Sequence, residues 1–106
     1  MARKIYDKLV RDRIPEIIAA SGKRCVTEVL SGEEYLRYLD RKLDEELAEY
    51  HQDGSCEELA DLMEVLLACA AARGMSRDEL ENVRAEKARE RGAFEKRLLL
   101  KEVTEG

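Results

Sequence analysis

Apolar side chains recur at steps of three and four along much of the chain. Leu36, Leu39, Leu43, Leu47 and Tyr50 form one such stripe, and Leu59, Leu62, Met63, Leu66, Leu67 and Ala70 form another. A period near 3.6 places each set on one face of an amphipathic helix. Ser-x-x-Glu boxes at Ser31–Glu34, Ser55–Glu58 and Ser76–Glu79 mark helix starts, because serine and glutamate there can satisfy the first unpaired amides. Gly22, Gly54, Gly74 and Gly92 mark the stops. The pattern predicts helices over 14–21, with Pro15 in its first turn, and over 32–53, 56–73 and 77–91. Segments 25–30 and 97–103 alternate or run apolar with β-branched content, which is compatible with a small two-stranded β ribbon. The Gly54-Ser55 connection forces its two helices into an antiparallel hairpin with their stripes facing. The expected fold is therefore mostly all-α: one domain over 1–106, a hairpin or bundle of about four helices. A chain this small buries little by itself, so assembly into a homodimer or homotetramer is expected.

Composition narrows the function. A net charge of −5 argues against nucleic-acid binding, and the charge is unevenly spread: +4 over residues 1–24, −10 over 25–72 and +1 over 73–106. Cys25, Cys56 and Cys69 are odd in number and widely spaced, and His51 is the single histidine, so neither a disulfide framework nor a zinc site is expected. That fits a reducing cytoplasm. Charges interrupt every apolar run near the N-terminus, and the longest uncharged apolar run is 65–72, so neither a signal peptide nor a membrane span is expected.

The acidic block carries the candidate chemistry. Glu46 and Glu49 are three apart on one helix, Glu58 and Asp61 three apart on the next, and each pair borders its apolar stripe. In an antiparallel hairpin the end of one helix lies beside the start of the other, so these carboxylates can converge. Like charges partly withdrawn from water demand a proton or a cation, and all-oxygen ligation selects Mg²⁺ or Mn²⁺ ahead of zinc. Acidic residues also suit solvated faces and helix N-termini, which accounts for Glu57, Glu58 and Asp61 without any metal. It does not account for Asp44, Glu45, Glu46 and Glu49, which crowd a helix C-terminus where the dipole disfavours anions.

Glu45-Glu46-Leu-Ala-Glu49 followed by Glu58-Leu-Ala-Asp61 resembles the E-E-x-x-E … E-x-x-D signature of the MazG-like and phosphoribosyl-ATP pyrophosphohydrolase superfamily. The opening from Tyr6 to Glu16, the core from Glu58 to Val65 and the stretch from Glu86 to Phe94 resemble a small single-domain branch of it. The spacer between Glu49 and Glu58 is shorter than in many members, and Ala93 stands where close relatives tend to show a second glycine. The resemblance implies an all-α, Mg²⁺-dependent nucleotide pyrophosphohydrolase that releases pyrophosphate and leaves a monophosphate. Members act on nucleoside triphosphates, often in a house-cleaning role, or on phosphoribosyl-ATP. Carried over by position, Glu46, Glu49, Glu58 and Asp61 are the metal ligands, Glu45 and Glu49 the catalytic candidates, and Glu45 and Glu64 second-tier candidates for an additional metal ion or for water activation. The rival is a non-catalytic nucleotide-binding or helical interaction module of the same fold.

A triphosphate also needs cations. Lys8, Arg11 and Arg13 near the N-terminus, and Lys87 and Arg91 one turn apart on the last helix, are the substrate-binding candidates, although each also reads as an ordinary solvated charge. Tyr35, Tyr38 and Tyr50 read as core or seam residues and His51 as a surface residue. Phe94 is expected to plug the core beyond Gly92, and the cysteines to be small buried apolar residues, Cys69 above all.

Overall fold

The structure, a computed structural model, describes residues 2–106. It contains four helices: α1 (Ile14–Ala20), α2 (Gly32–Asp53), α3 (Cys56–Ala72) and α4 (Arg77–Arg91). Each lies within about a residue of the span its caps and stripe predict. Pro15 opens α1, where its missing amide leaves no helical bond unmade. At the end of α2, Gly54 adopts a left-handed conformation (φ 66°) and its N–H bonds the Tyr50 carbonyl at 2.7 Å. An L side chain would be strained at that φ, so glycine is what lets the chain reverse within two residues.

The three serine boxes do not behave alike. Around α4 the box is complete: Ser76 Oγ accepts from the Glu79 N–H at 3.1 Å, and Glu79 Oε1 accepts from the Ser76 N–H at 3.2 Å. At α3 only half forms, with Ser55 Oγ accepting from the Glu58 N–H at 3.3 Å. At α2 neither half forms, because Gly32 starts the helix at φ 58° and carries the Ser31 side chain off the line of the first amides.

α2 and α3 pack against each other as an antiparallel hairpin, and α4 rests on α3. Leu39 (3% exposed) and Val65 (9%) are the buried apolar residues at the hairpin centre. The two stripes meet only in part. Leu62, Val65 and Cys69 turn inward, whereas Leu59, Met63 and Leu66 form an outward ridge beside exposed Leu47. At the open end of the hairpin Arg73 reaches Asp40 at 3.9 Å.

Several expectations are corrected. No β ribbon forms among the described residues: 25–30 and 97–103 run unpaired, with Val26, Val29, Leu98, Leu99, Leu100 and Val103 exposed. β-branched content favours a pleated surface that is half covered, and among the described residues no strand pairs with these segments. Phe94 is 96% exposed rather than a core plug, because the chain leaves α4 for solvent after Gly92. Cys25 and Cys56 are exposed, and only Cys69 is partly covered, since it alone faces the hairpin seam. Among the described residues no helix is long and apolar enough to cross a membrane.

Candidate metal centre

The short turn at Gly54 and Ser55 decides what faces what. Glu46 lies two turns before the end of α2, and Glu58 and Asp61 lie in the first two turns of α3, so the antiparallel seam brings them opposite one another. One carboxylate oxygen from each of Glu46, Glu58 and Asp61 lies within 4.8 Å of the others. Glu46 is only 7% exposed, and its Oε2, like Oε2 of Glu58, is buried with no hydrogen-bond partner. An unsatisfied buried carboxylate oxygen is costly, and two of them in one acidic cluster require an explanation.

The electrostatics agree with that geometry. Burial pushes the Glu46 carboxyl above the usual carboxylate range, reinforced by the charge and proximity of Glu49; Lys42 pulls the other way, and Asp61 adds the smallest push upward. Desolvation also raises Glu58, followed by the charges of Glu49, Asp61, Asp53 and Glu46. Both groups therefore gain from either a proton or a cation. Three convergent oxygens with two lone-pair sites left open suit a hard divalent ion, and no sulfur or imidazole stands among them.

The remaining acidic candidates divide. Glu49 is exposed and lies outside the trio of closest oxygens, although its carboxyl is within hydrogen-bonding reach of Glu46. Glu45 is committed to cations, with its Oε1 3.6 Å from Lys8 Nζ and 3.7 Å from Lys42 Nζ. Glu64 faces a different cleft, which it lines with Arg11 and Arg13.

Two of the five basic candidates reach the acidic cluster. The extended segment before α1 lies across the hairpin, so that Lys8 meets Glu45 and Arg11 Nη2 donates to Asp61 Oδ1 at 2.7 Å. Arg13 is occupied locally by Glu16, through bonds of 2.9 and 2.8 Å. Lys87 and Arg91 are exposed on α4, and among the described residues neither pairs with the cluster. Next to the acidic pocket, Leu9, Arg11, Asp12, Tyr35, Leu39 and Lys42 line a cleft of about 170 Å³.

No known protein family matches the chain, and no solved structure matches it. An uncharacterised protein of Mycolicibacterium smegmatis is 62% identical over 42 residues, a stretch covering 40% of this chain and 43% of that protein. The chain thus spans less than half of that relative's length.

Lys42 is the site residue that the sequence pattern missed. Its Nζ lies 3.6 Å from Glu46 Oε1, and its side chain is 18% exposed, making it the least exposed cation around the cluster. Its signal was present all the same: Lys42 precedes Glu46 by four residues, one helical turn, on the same face.

Proposed function

We propose that the protein is a metal-dependent nucleotide pyrophosphohydrolase, with a divalent cation held by Glu46, Glu58 and Asp61 and the exposed Glu49 at its flank. The observation that carries this reading is the pair of buried, unpartnered oxygens, Glu46 Oε2 and Glu58 Oε2, on two of the three carboxylates that converge. The likeness of the two acidic motifs to the MazG-like superfamily supplies the reaction class. In that setting Mg²⁺ or Mn²⁺ would neutralise phosphate charge and lower the pKa of a bound water.

The chain's own residues supply the rest. Glu49, exposed beside Glu46, is left to take a proton while Glu46 holds the cation. That arrangement offers a place for the proton released when water attacks phosphorus. Glu45 stays paired with Lys8 and Lys42 and fixes both ammonium groups at the rim, where a triphosphate would meet them. Arg11 supplies a guanidinium fork suited to phosphate oxygens.

A second copy of the chain belongs to this reading. The described chain exposes 10032 Å², against about 6,000 Å² for a compact protein of this mass. Its radius of gyration is 18.8 Å, against about 13 Å. The ridge of Leu59, Met63 and Leu66 with Leu47 is the apolar surface a partner hairpin would cover. Met63→Asp is expected to lower the mass measured by light scattering.

The test is pyrophosphate release with Mg²⁺ from ribo-, deoxy- and modified nucleoside triphosphates and from phosphoribosyl-ATP. Release from at least one substrate, lost in Glu46→Gln, supports the proposal; a folded protein that releases none with either Mg²⁺ or Mn²⁺ removes it. The rival, a nucleotide-binding or interaction module without turnover, draws support from the ion pairs that already offset part of the acidic charge. A Mg²⁺-raised melting midpoint with no hydrolysis would favour it.

A further inference from the structure

We infer that Arg11 and a divalent cation are alternative partners of Asp61, so that cation loading frees Arg11 and loosens the segment before α1; this rests on the metal reading proposed above. Asp61 is one of the three carboxylates whose oxygens converge, and Arg11 Nη2 donates to its Oδ1 at 2.7 Å from a residue fifty positions earlier. The guanidinium thus supplies positive charge to the same carboxylate that a cation would engage.

Apart from half-buried Leu9, which lines a cleft with Tyr35, Leu39 and Val65, little else fastens this segment. Lys8 touches Glu45 only at 3.6 Å, and Glu45 is shared with Lys42. Among the described residues, two backbone hydrogen bonds join the segment to the elements after it, from the Ile14 N–H to the Arg11 carbonyl and from the Ile17 N–H to the Arg13 carbonyl; both open α1 and neither reaches the hairpin. Arg11 also lies where two clefts meet, one beside Tyr35 and Lys42, the other beside Arg13 and Glu64. Once off Asp61 it has open space in which to turn and take a phosphate oxygen. A fork released only when the cation is in place makes the binding of metal and phosphate ordered: cation first, anion second.

The experiment measures Mg²⁺ affinity by calorimetry and pyrophosphate affinity with and without Mg²⁺, in wild type, Arg11→Gln and Arg24→Gln. Arg24 lies between α1 and α2 with no ion pair among the described residues, and its loss changes the net charge equally. Arg11→Gln is expected to bind Mg²⁺ about two- to fivefold more tightly than wild type, the worth of an exposed ion pair. It should also lose affinity for pyrophosphate only when Mg²⁺ is present. Saturating Mg²⁺ should speed trypsin cleavage after Lys8 and Arg11 relative to cleavage after Lys101 in the C-terminal segment.

Weaker Mg²⁺ binding in Arg11→Gln would mean that Arg11 orients Asp61 rather than competing for it, and would overturn the inference. Equal effects of Arg11→Gln and Arg24→Gln would reduce it to net charge and overturn it too. Absence of Mg²⁺ binding in all three proteins removes the metal site itself, whereas binding that ignores Arg11 removes this inference alone.

Discussion

Of the three helix starts that carry the pattern Ser-x-x-Glu, those of α3 and α4 use it differently. At α4, Glu79 folds back onto the Ser76 amide and closes the box. At α3, Ser55 makes its half, but Glu58 leaves an oxygen buried and unbonded among Glu46 and Asp61. Helix capping is local, so the four residues themselves cannot explain the difference. What differs is the neighbour: α3 begins across a seam from the acidic end of α2, and α4 begins in solvent. A side chain withheld from an available hydrogen bond in favour of a more costly position supports the metal reading proposed above.

The largest test of that contrast is chemical. Glu58→Gln or Glu46→Gln should reduce Mg²⁺-dependent pyrophosphate release by at least about 100-fold, while Glu79→Gln leaves it near wild type. Comparable losses at Glu58 and Glu79 would erase the distinction. On stability, Ser76→Ala should cost about 1 kcal/mol in denaturant unfolding by removing a complete cap, and Ser55→Ala less, since its box is already half open.

A finer test asks only for the sign. Without divalent cations, Glu58→Gln should raise the melting midpoint, because it removes a charge held at a disadvantage. Glu79→Gln should lower it slightly by taking a negative charge from a helix N-terminus. The smallest effect is the pH slope. Glu46 and Glu58 bind protons more tightly folded than unfolded, so the cation-free protein should lose stability as pH rises from about 4.5, the ordinary glutamate value, through their raised folded values. Saturating Mg²⁺ should flatten that decline, and melting curves across pH in EDTA and in Mg²⁺ would show whether it does.

The helices were legible because caps and stripes are local. Pro15, Gly54 and the serine boxes mark boundaries within one turn, and even the unmade box at Ser31 left the start of α2 in place. Glu46, Glu58 and Asp61 could be placed together because helical spacing and a two-residue turn fix their relation. The contact between Arg11 and Asp61 could not, since an extended segment carries no periodicity to say where it lies. The ribbon expected over 25–30 and 97–103 failed for a related reason: propensity describes a strand's preference, and pairing needs a partner.

The Gly54 turn also decides what kind of staple a cation could be. Glu46 and Glu58 are twelve residues apart, and the turn between them has already spent the chain entropy of bringing them together. An ion bridging them would gain almost nothing by cross-linking the unfolded chain and nearly everything by relieving repulsion across the seam. Its grip should therefore follow ionic strength and acidity, tightening or slackening the hairpin without unzipping it.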